Sequence, residues 1–185
     1  MLPYALGAQA PLSHAELTAA VLDGDLVPVS RRAYSPTAMP PSAVVRAAAA
    51  GVMVPNAHAA VRTTAAWIHG ALPEEPDPYH VQRIAGEPAS RLLRAGVAVH
   101  LWPLPAEDLT TMGGVRVTTL ERTCYDVARE TLLGDDGASA RAFAWFRASD
   151  DLRDALLTWL TAGRRLAYTR RIAAILQEDV TRYTS

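Results

Sequence analysis

The sequence predicts an α+β fold. Three observations carry that prediction. Short runs of alternating apolar and polar residues lie near the N-terminus and again between residues 79 and 118, as half-buried strands require. Beyond residue 118 the apolar residues recur at helical spacing. Serine or threonine caps and glycine stops mark the helix ends between them. The expected architecture is a small N-terminal module, then a small mixed sheet packed by helices, then a helical C-terminal half.

Bulk properties bound the answer. The chain has 185 residues, half of them hydrophobic and a fifth charged, which suits one domain or one domain plus a small module. The net charge is −1, so any surface that attracts nucleic acid must be local. All 18 basic residues are arginines. The single cysteine, Cys124, excludes an intrachain disulfide and fits a cytoplasmic location. No positive charge precedes Arg31, so a secretory leader is not expected. The longest apolar run, Ala47 to Val61, is broken by Gly51, Pro55 and Asn56, and no membrane span is expected.

Residues 1–12 read as a loose lead-in. Ser13 and Glu16 form a capping box for a short helix with Leu17, Ala20 and Val21 on its apolar face, ended by Gly24. Two extended runs follow, Leu26 to Val29 and Arg32 to Tyr34, around Ser30-Arg31. Pro28 confines the first to a sheet edge. A helix, a glycine and a basic hairpin in this order resemble the last helix and wing of a winged helix-turn-helix. Only 12 residues precede Ser13, so the module is expected to be truncated. The proline-rich stretch from Pro36 to Pro41 reads as a linker, which divides the chain into a module at 1–36 and a domain at 37–185.

Ser42 is expected to cap a helix through Ala50, stopped by Gly51. Asn56 or Ala57 begins the next, running to His69 with Gly70 as its end. Tyr79 to Ile84 and Val97 to Leu104 read as strands, with one helical turn expected within Ala89 to Ala95. Pro105 to Thr111 reads as a loop. Val115 and Val117 then alternate as a short strand, and Thr118 with Glu121 reads as the capping box of a helix burying Leu120, Cys124 and Val127. Helices over 138–147, 150–162 and 165–179 complete the chain. Two further faces, Leu152, Leu156, Trp159 and Leu160, and Tyr168, Ile172, Ile175 and Leu176, have helical spacing.

Two stretches look like signatures. One is Gly114-Val115-Arg116-Val117-Thr118-Thr119, continued by Arg122-Thr123, Asp126, Ala128 and Arg129; the other is Arg62-Thr63-Thr64-Ala65-Ala66-Trp67-Ile68-His69-Gly70. Both resemble motifs of AbiEi-like antitoxins, a family common in actinobacteria. Their order and spacing extend the resemblance from about Ser13 to about Asp179. The resemblance implies an antitoxin of a type IV toxin–antitoxin system. Its winged helix would bind operator DNA and repress its own operon; with the module truncated here, DNA binding is expected to be lost or to need a homodimer. Its C-terminal part would neutralise a nucleotidyltransferase-like toxin without a stable complex.

Carried onto this chain, DNA contact falls to His14 and Thr18 on the recognition helix and to Arg31 and Arg32 on the wing. That helix contains no arginine here, and Glu16, Asp23 and Asp25 precede the first one. Phosphate neutralisation is therefore weak. The densest basic cluster is Arg164, Arg165, Arg170 and Arg171, a candidate partner surface, set against a solvated helix face beside Glu178 and Asp179. Thr118, Arg122, Thr123 and Asp126 form the fold-organising motif. Arg122 and Asp126 have i,i+4 spacing, and Arg122 is expected to tie its helix to a neighbouring strand or loop.

Other chemistries find little support. His14, His58, His69, His80 and His100 show no metal-ligand spacing, and His69 is expected to cap carbonyls at its helix end. Cys124 reads as an inert core thiol, and Trp67, Trp102, Trp145 and Trp159 as core residues. A nuclease of the PD-(D/E)XK type usually needs a lysine beside its carboxylates, and this chain has none. Gly137-Ala138-Ser139 follows Asp135 and Asp136 instead of preceding paired acids, unlike a nucleotidyltransferase signature. No phosphate-binding loop is present. The expectation is a binding protein, without cofactor or metal. The alternative is an orphan interaction module that has lost DNA binding.

Overall fold

A computed structural model describes residues 4–5, 12–87, 95–134, 137–162 and 166–183, with side chains from 179 onward left aside. It is an α+β fold in which a three-stranded sheet precedes a five-stranded mixed sheet and a cluster of helices.

The first sheet contains β1 (Tyr4–Ala5), β2 (Leu26–Ser30) and β3 (Ala33–Pro36) in the order β1-β3-β2, all antiparallel. Helix α1 (His14–Leu22) lies between β1 and β2 in the chain. Its capping box forms as expected: Ser13 Oγ accepts the Glu16 amide, and Glu16 accepts the Ser13 amide at 2.7 Å. Pro28 sits on the outer strand, where its missing N–H costs no ladder bond. Leu17 and Ala33 are fully buried, and Ala33 joins the main core.

Helix α2 (Ala43–Ala50) starts at the Ser42 cap and ends at Gly51, as the sequence suggests. The expected helix from 56 or 57 to His69 is instead a strand followed by a helix, β4 (His58–Ala60) and α3 (Arg62–His69). The reason is burial. Strand β4 is central in its sheet, and His58, Ala59 and Ala60 are all buried. A strand covered on both faces shows no alternation and reads like a helix segment.

The second sheet adds β5 (Tyr79–Arg83), β6 (Val97–His100), β7 (Leu109–Met112) and β8 (Val115–Thr118), in the order β6-β5-β4-β8-β7. The β4–β8 and β5–β6 pairs are parallel; β4–β5 and β7–β8 are antiparallel. Strand β6 stops at His100, short of Leu104. The stretch read as a loop before Thr111 holds a 3-10 turn (Ala106–Asp108) and most of β7. The expected turn within 89–95 lies largely outside the described residues. Gly113, at φ +53°, turns β7 into β8 against α2; a Cβ there would meet Val44 O at 2.5 Å and Ala48 N at 2.7 Å. Glycine is required by that contact as well as by the dihedral.

Helices α4 (Leu120–Leu133), α5 (Gly137–Arg147), α6 (Asp150–Thr161) and α7 (Thr169–Tyr183) follow. One core runs through the molecule, from Trp67, Ile68, Tyr79, Val81 and Val117 to Val127, Phe146, Leu156, Ile172 and Leu176. Four expected core members lie outside it: Leu120, Trp102, Trp145 and Tyr168 are exposed. Trp102 lies two residues beyond the end of β6, an edge strand. Leu120 is the first residue of α4, at the end of the buried face that Cys124 and Val127 carry on. None of the described helices is long and apolar enough to cross a membrane.

Candidate functional site

The site is built where α3, α4 and the end of β8 meet. Thr119, not Thr118, is the N-cap of α4, and its Oγ1 accepts the Arg122 amide at 3.3 Å. The expected capping box between Thr118 and Glu121 is therefore not the one that forms. Thr118 stays in β8, fully buried, its hydroxyl 2.7 Å from that of Thr123. Thr123 Oγ1 donates in turn to the Thr118 carbonyl at 3.2 Å. Strand end and first helical turn are thereby locked together, with both of these threonine hydroxyls bonded.

Arg122 projects from that turn into the protein. Its Nη1 donates to Asp108 at 2.8 Å and its Nε to Asp126 at 3.0 Å. The three side chains are 6 %, 1 % and 14 % exposed, so this is a buried ion triad. The i,i+4 pair is the one expected from sequence, and Asp108 is the loop residue to which Arg122 ties the helix. Burial alone would lower the Arg122 guanidinium, but Asp126 and Asp108 hold it above its ordinary value. Burial pushes the Asp126 carboxyl up to about 6, against the pull of Arg122 and Arg62.

Arg62 opens α3 at φ +53°, an uncommon conformation for a residue with a side chain. It pairs with Glu130 of α4, which also accepts from Ser139 of α5 at 2.8 Å. One carboxylate thus joins three helices. At the other end of α3, His69 Nε2 lies 2.8 Å from the Thr118 carbonyl. The acceptor has no proton, so Nε2 carries it. His69 therefore reaches across to β8 and does not cap its own helix. That role falls to Arg46 of α2, which donates to the carbonyls of Trp67 and Leu72 at 2.9 and 3.2 Å.

These groups border a cleft of about 390 Å³ lined by Arg62, Gln82, Trp102, Arg122, Tyr125, Asp126 and Arg129 among others. Arg129 stands over the exposed indole of Trp102, 4.8 Å from the ring centroid. Beside it, His80 Nδ1 and His100 Nε2 are 2.9 Å apart across the β5–β6 pair, with rings nearly parallel. Burial and the charge of Arg62 push His100 down to about 4. Among the described residues, no group of three or more His, Cys, Asp or Glu side chains could hold a metal ion. Cys124 is buried and its thiol pKa is raised by that burial, as an inert core thiol requires.

Residues 58–177 match the family model of the AbiEi antitoxin C-terminal domain, more than half of the chain. The chain belongs to the AbiEi antitoxin family. An antitoxin role in a toxin–antitoxin system follows from that membership. No curated protein matches the chain. Both AbiEi-like motifs fall within the matched segment, and the structure joins them through the His69–Thr118 bond, with Arg62 of one paired to Glu130, the residue just after the other.

The other residues singled out from sequence are scattered. His14 and Thr18 are exposed on α1, and the Thr18 hydroxyl is bonded to the His14 carbonyl. Arg31 is engaged: it donates to Asp77 at 2.6 Å, to Glu75 at 3.1 Å and to the Pro76 carbonyl at 3.0 Å. These bonds clamp the β2–β3 turn to the loop before β5, beside a second cleft of about 480 Å³ that Arg32 also lines. Arg164 and Arg165 lie outside the described residues. Arg170 and Arg171 are exposed in the first turn of α7, where the helix dipole disfavours cations. Sequence reasoning missed Asp108, Arg62, Glu130, Arg129 and the His80–His100 pair as site members.

Proposed function

We infer that the protein is the antitoxin of a type IV system and neutralises a nucleotidyltransferase-like toxin without forming a stable complex with it. The match of residues 58–177 to the AbiEi antitoxin domain carries this reading. The buried polar tie between its two motifs supports it, because it holds them as one rigid surface. The protein acts by binding and not by catalysis, in the cytoplasm. The exposed pair Arg170 and Arg171 supports a partner surface, since it does not serve the stability of α7. The test is co-expression with a toxin-like reading frame from the same locus. Growth restored by the full chain, with no co-elution of the two proteins, supports the reading. A toxin that still arrests growth beside well-expressed antitoxin refutes it.

A second reading, autoregulation through operator DNA, draws on the N-terminal module. The sheet order β1-β3-β2 with α1 between its first two strands resembles a winged helix. Against it stand the capture of Arg31 by Glu75 and Asp77 and the lack of arginine on α1. Retardation of the gene's upstream DNA that falls with salt supports autoregulation; none at any salt supports an interaction module without DNA binding.

A further inference from the structure

We propose that the cleft between the segment after β6, α4 and the residues just before α7 binds a nucleotide, its base on the Trp102 indole and its phosphate on Arg129. The cleft holds about 390 Å³, the scale of a site for one small molecule. Its charges are unequal in kind. Arg122 is neutralised by Asp108 and Asp126, and Arg62 by Glu130. Arg129 makes no ion pair among the described residues; its contact is the Trp102 ring. Among the described lining residues it is the cation available to an anion.

The aromatic wall is equally specific. Trp102 is 56 % exposed: Arg129 lies over its ring on one side, and the rest of the indole is left in water. Gln82 of β5 donates its side-chain N–H to the Trp102 main-chain carbonyl, which ties down the backbone that carries the indole, and Tyr125, also in the lining, is held by its hydroxyl bond to the Ala167 carbonyl at 3.0 Å. An exposed indole beside a guanidinium that makes no ion pair among the described residues fits a planar ring carrying an anionic group, the chemistry of a nucleotide. Asp126, which also lines the cleft, takes one Arg122 hydrogen bond on Oδ1 and has acceptor capacity left for a base N–H. The proposal stands apart from the antitoxin reading, which survives if it fails.

The test is calorimetric titration of the full chain with AMP, adenosine and inorganic phosphate. AMP should bind, and the two fragments should each bind at least about tenfold more weakly. Trp102→Ala and Arg129→Ala should each weaken AMP by roughly tenfold or more, with circular dichroism and thermal melting unchanged. Trp145→Ala, which removes another exposed indole, should leave binding intact. A single-stranded oligoadenylate forms the second arm. Tighter binding than AMP with the same dependence on Trp102 and Arg129 identifies a strand as the source, and weaker binding identifies the free nucleotide; both uphold the site. No binding of either ligand up to about 10 mM overturns the proposal, as does binding indifferent to both substitutions.

Discussion

His69 Nε2 is 2.8 Å from the main-chain oxygen of Thr118, so the last side chain of α3 is bonded to the last residue of β8. The bond requires a proton on Nε2 and is satisfied by the neutral imidazole. Burial lowers the pKa of His69, outweighing the carbonyl bond and the charge of Glu121. The pKa of His100 is lowered too, by burial, Arg62 and His80, to about 4. For both, the unfolded chain takes up the proton first as pH falls. Their contribution is present above the ordinary histidine value of 6.5 and is lost as pH drops toward the folded value.

In urea melts the stability of wild type relative to His100→Gln should therefore fall as pH drops from 6.5 toward about 4. Asp126 works in the opposite sense. Its folded value of about 6 exceeds the ordinary 3.8, so its contribution is largest below 3.8 and is lost as pH rises through 6. The difference in stability between wild type and Asp126→Asn should shift toward wild type as pH is lowered across that window. A difference constant with pH would contradict the assignment.

Removing Arg122 leaves Asp108 and Asp126 buried without their cation. Arg122→Ala should destabilise the protein by about 3–5 kcal/mol, read from the urea midpoint. A loss under about 1 kcal/mol, the range of exposed pairs, would mean that the triad is solvated in solution.

Thr123→Val removes the hydroxyl that meets both the Thr118 hydroxyl and carbonyl. The shape is kept, but a buried polar group loses its partner. The expected cost is about 1–3 kcal/mol in chemical denaturation.

Gly113→Ala should be more damaging than most surface changes, because the new Cβ meets backbone atoms of α2 and the left-handed dihedral is disfavoured as well. The loss should exceed about 1 kcal/mol in thermal melts. Gly86→Ala, at φ +83° with nothing within 4 Å, isolates the dihedral cost and should be milder.

Much of the helical framework is legible in the sequence because helix ends are local. Ser13, Ser42 and Ser149 each sit where their side chains accept an amide of the first turn, and Gly70 and Gly134 end helices at positive φ. Strand β4 was not legible, since its alanines carry no alternation when both faces are covered. The site divides the same way. Arg122 and Asp126 announce themselves by spacing, whereas Asp108 comes from a loop 14 residues earlier. The pairing of Arg62 with Glu130 depends on how α3 packs against α4, which no local pattern encodes. Trp102 was read as core because an indole usually is, and only the edge position of β6 leaves it in water.

The most direct measurement is growth after induction of the toxin-like neighbour, alone and with this protein, at matched expression. Neutralisation through the AbiEi domain predicts restored growth and no co-purification of the pair. Arrest that persists in the presence of folded, abundant protein would contradict it.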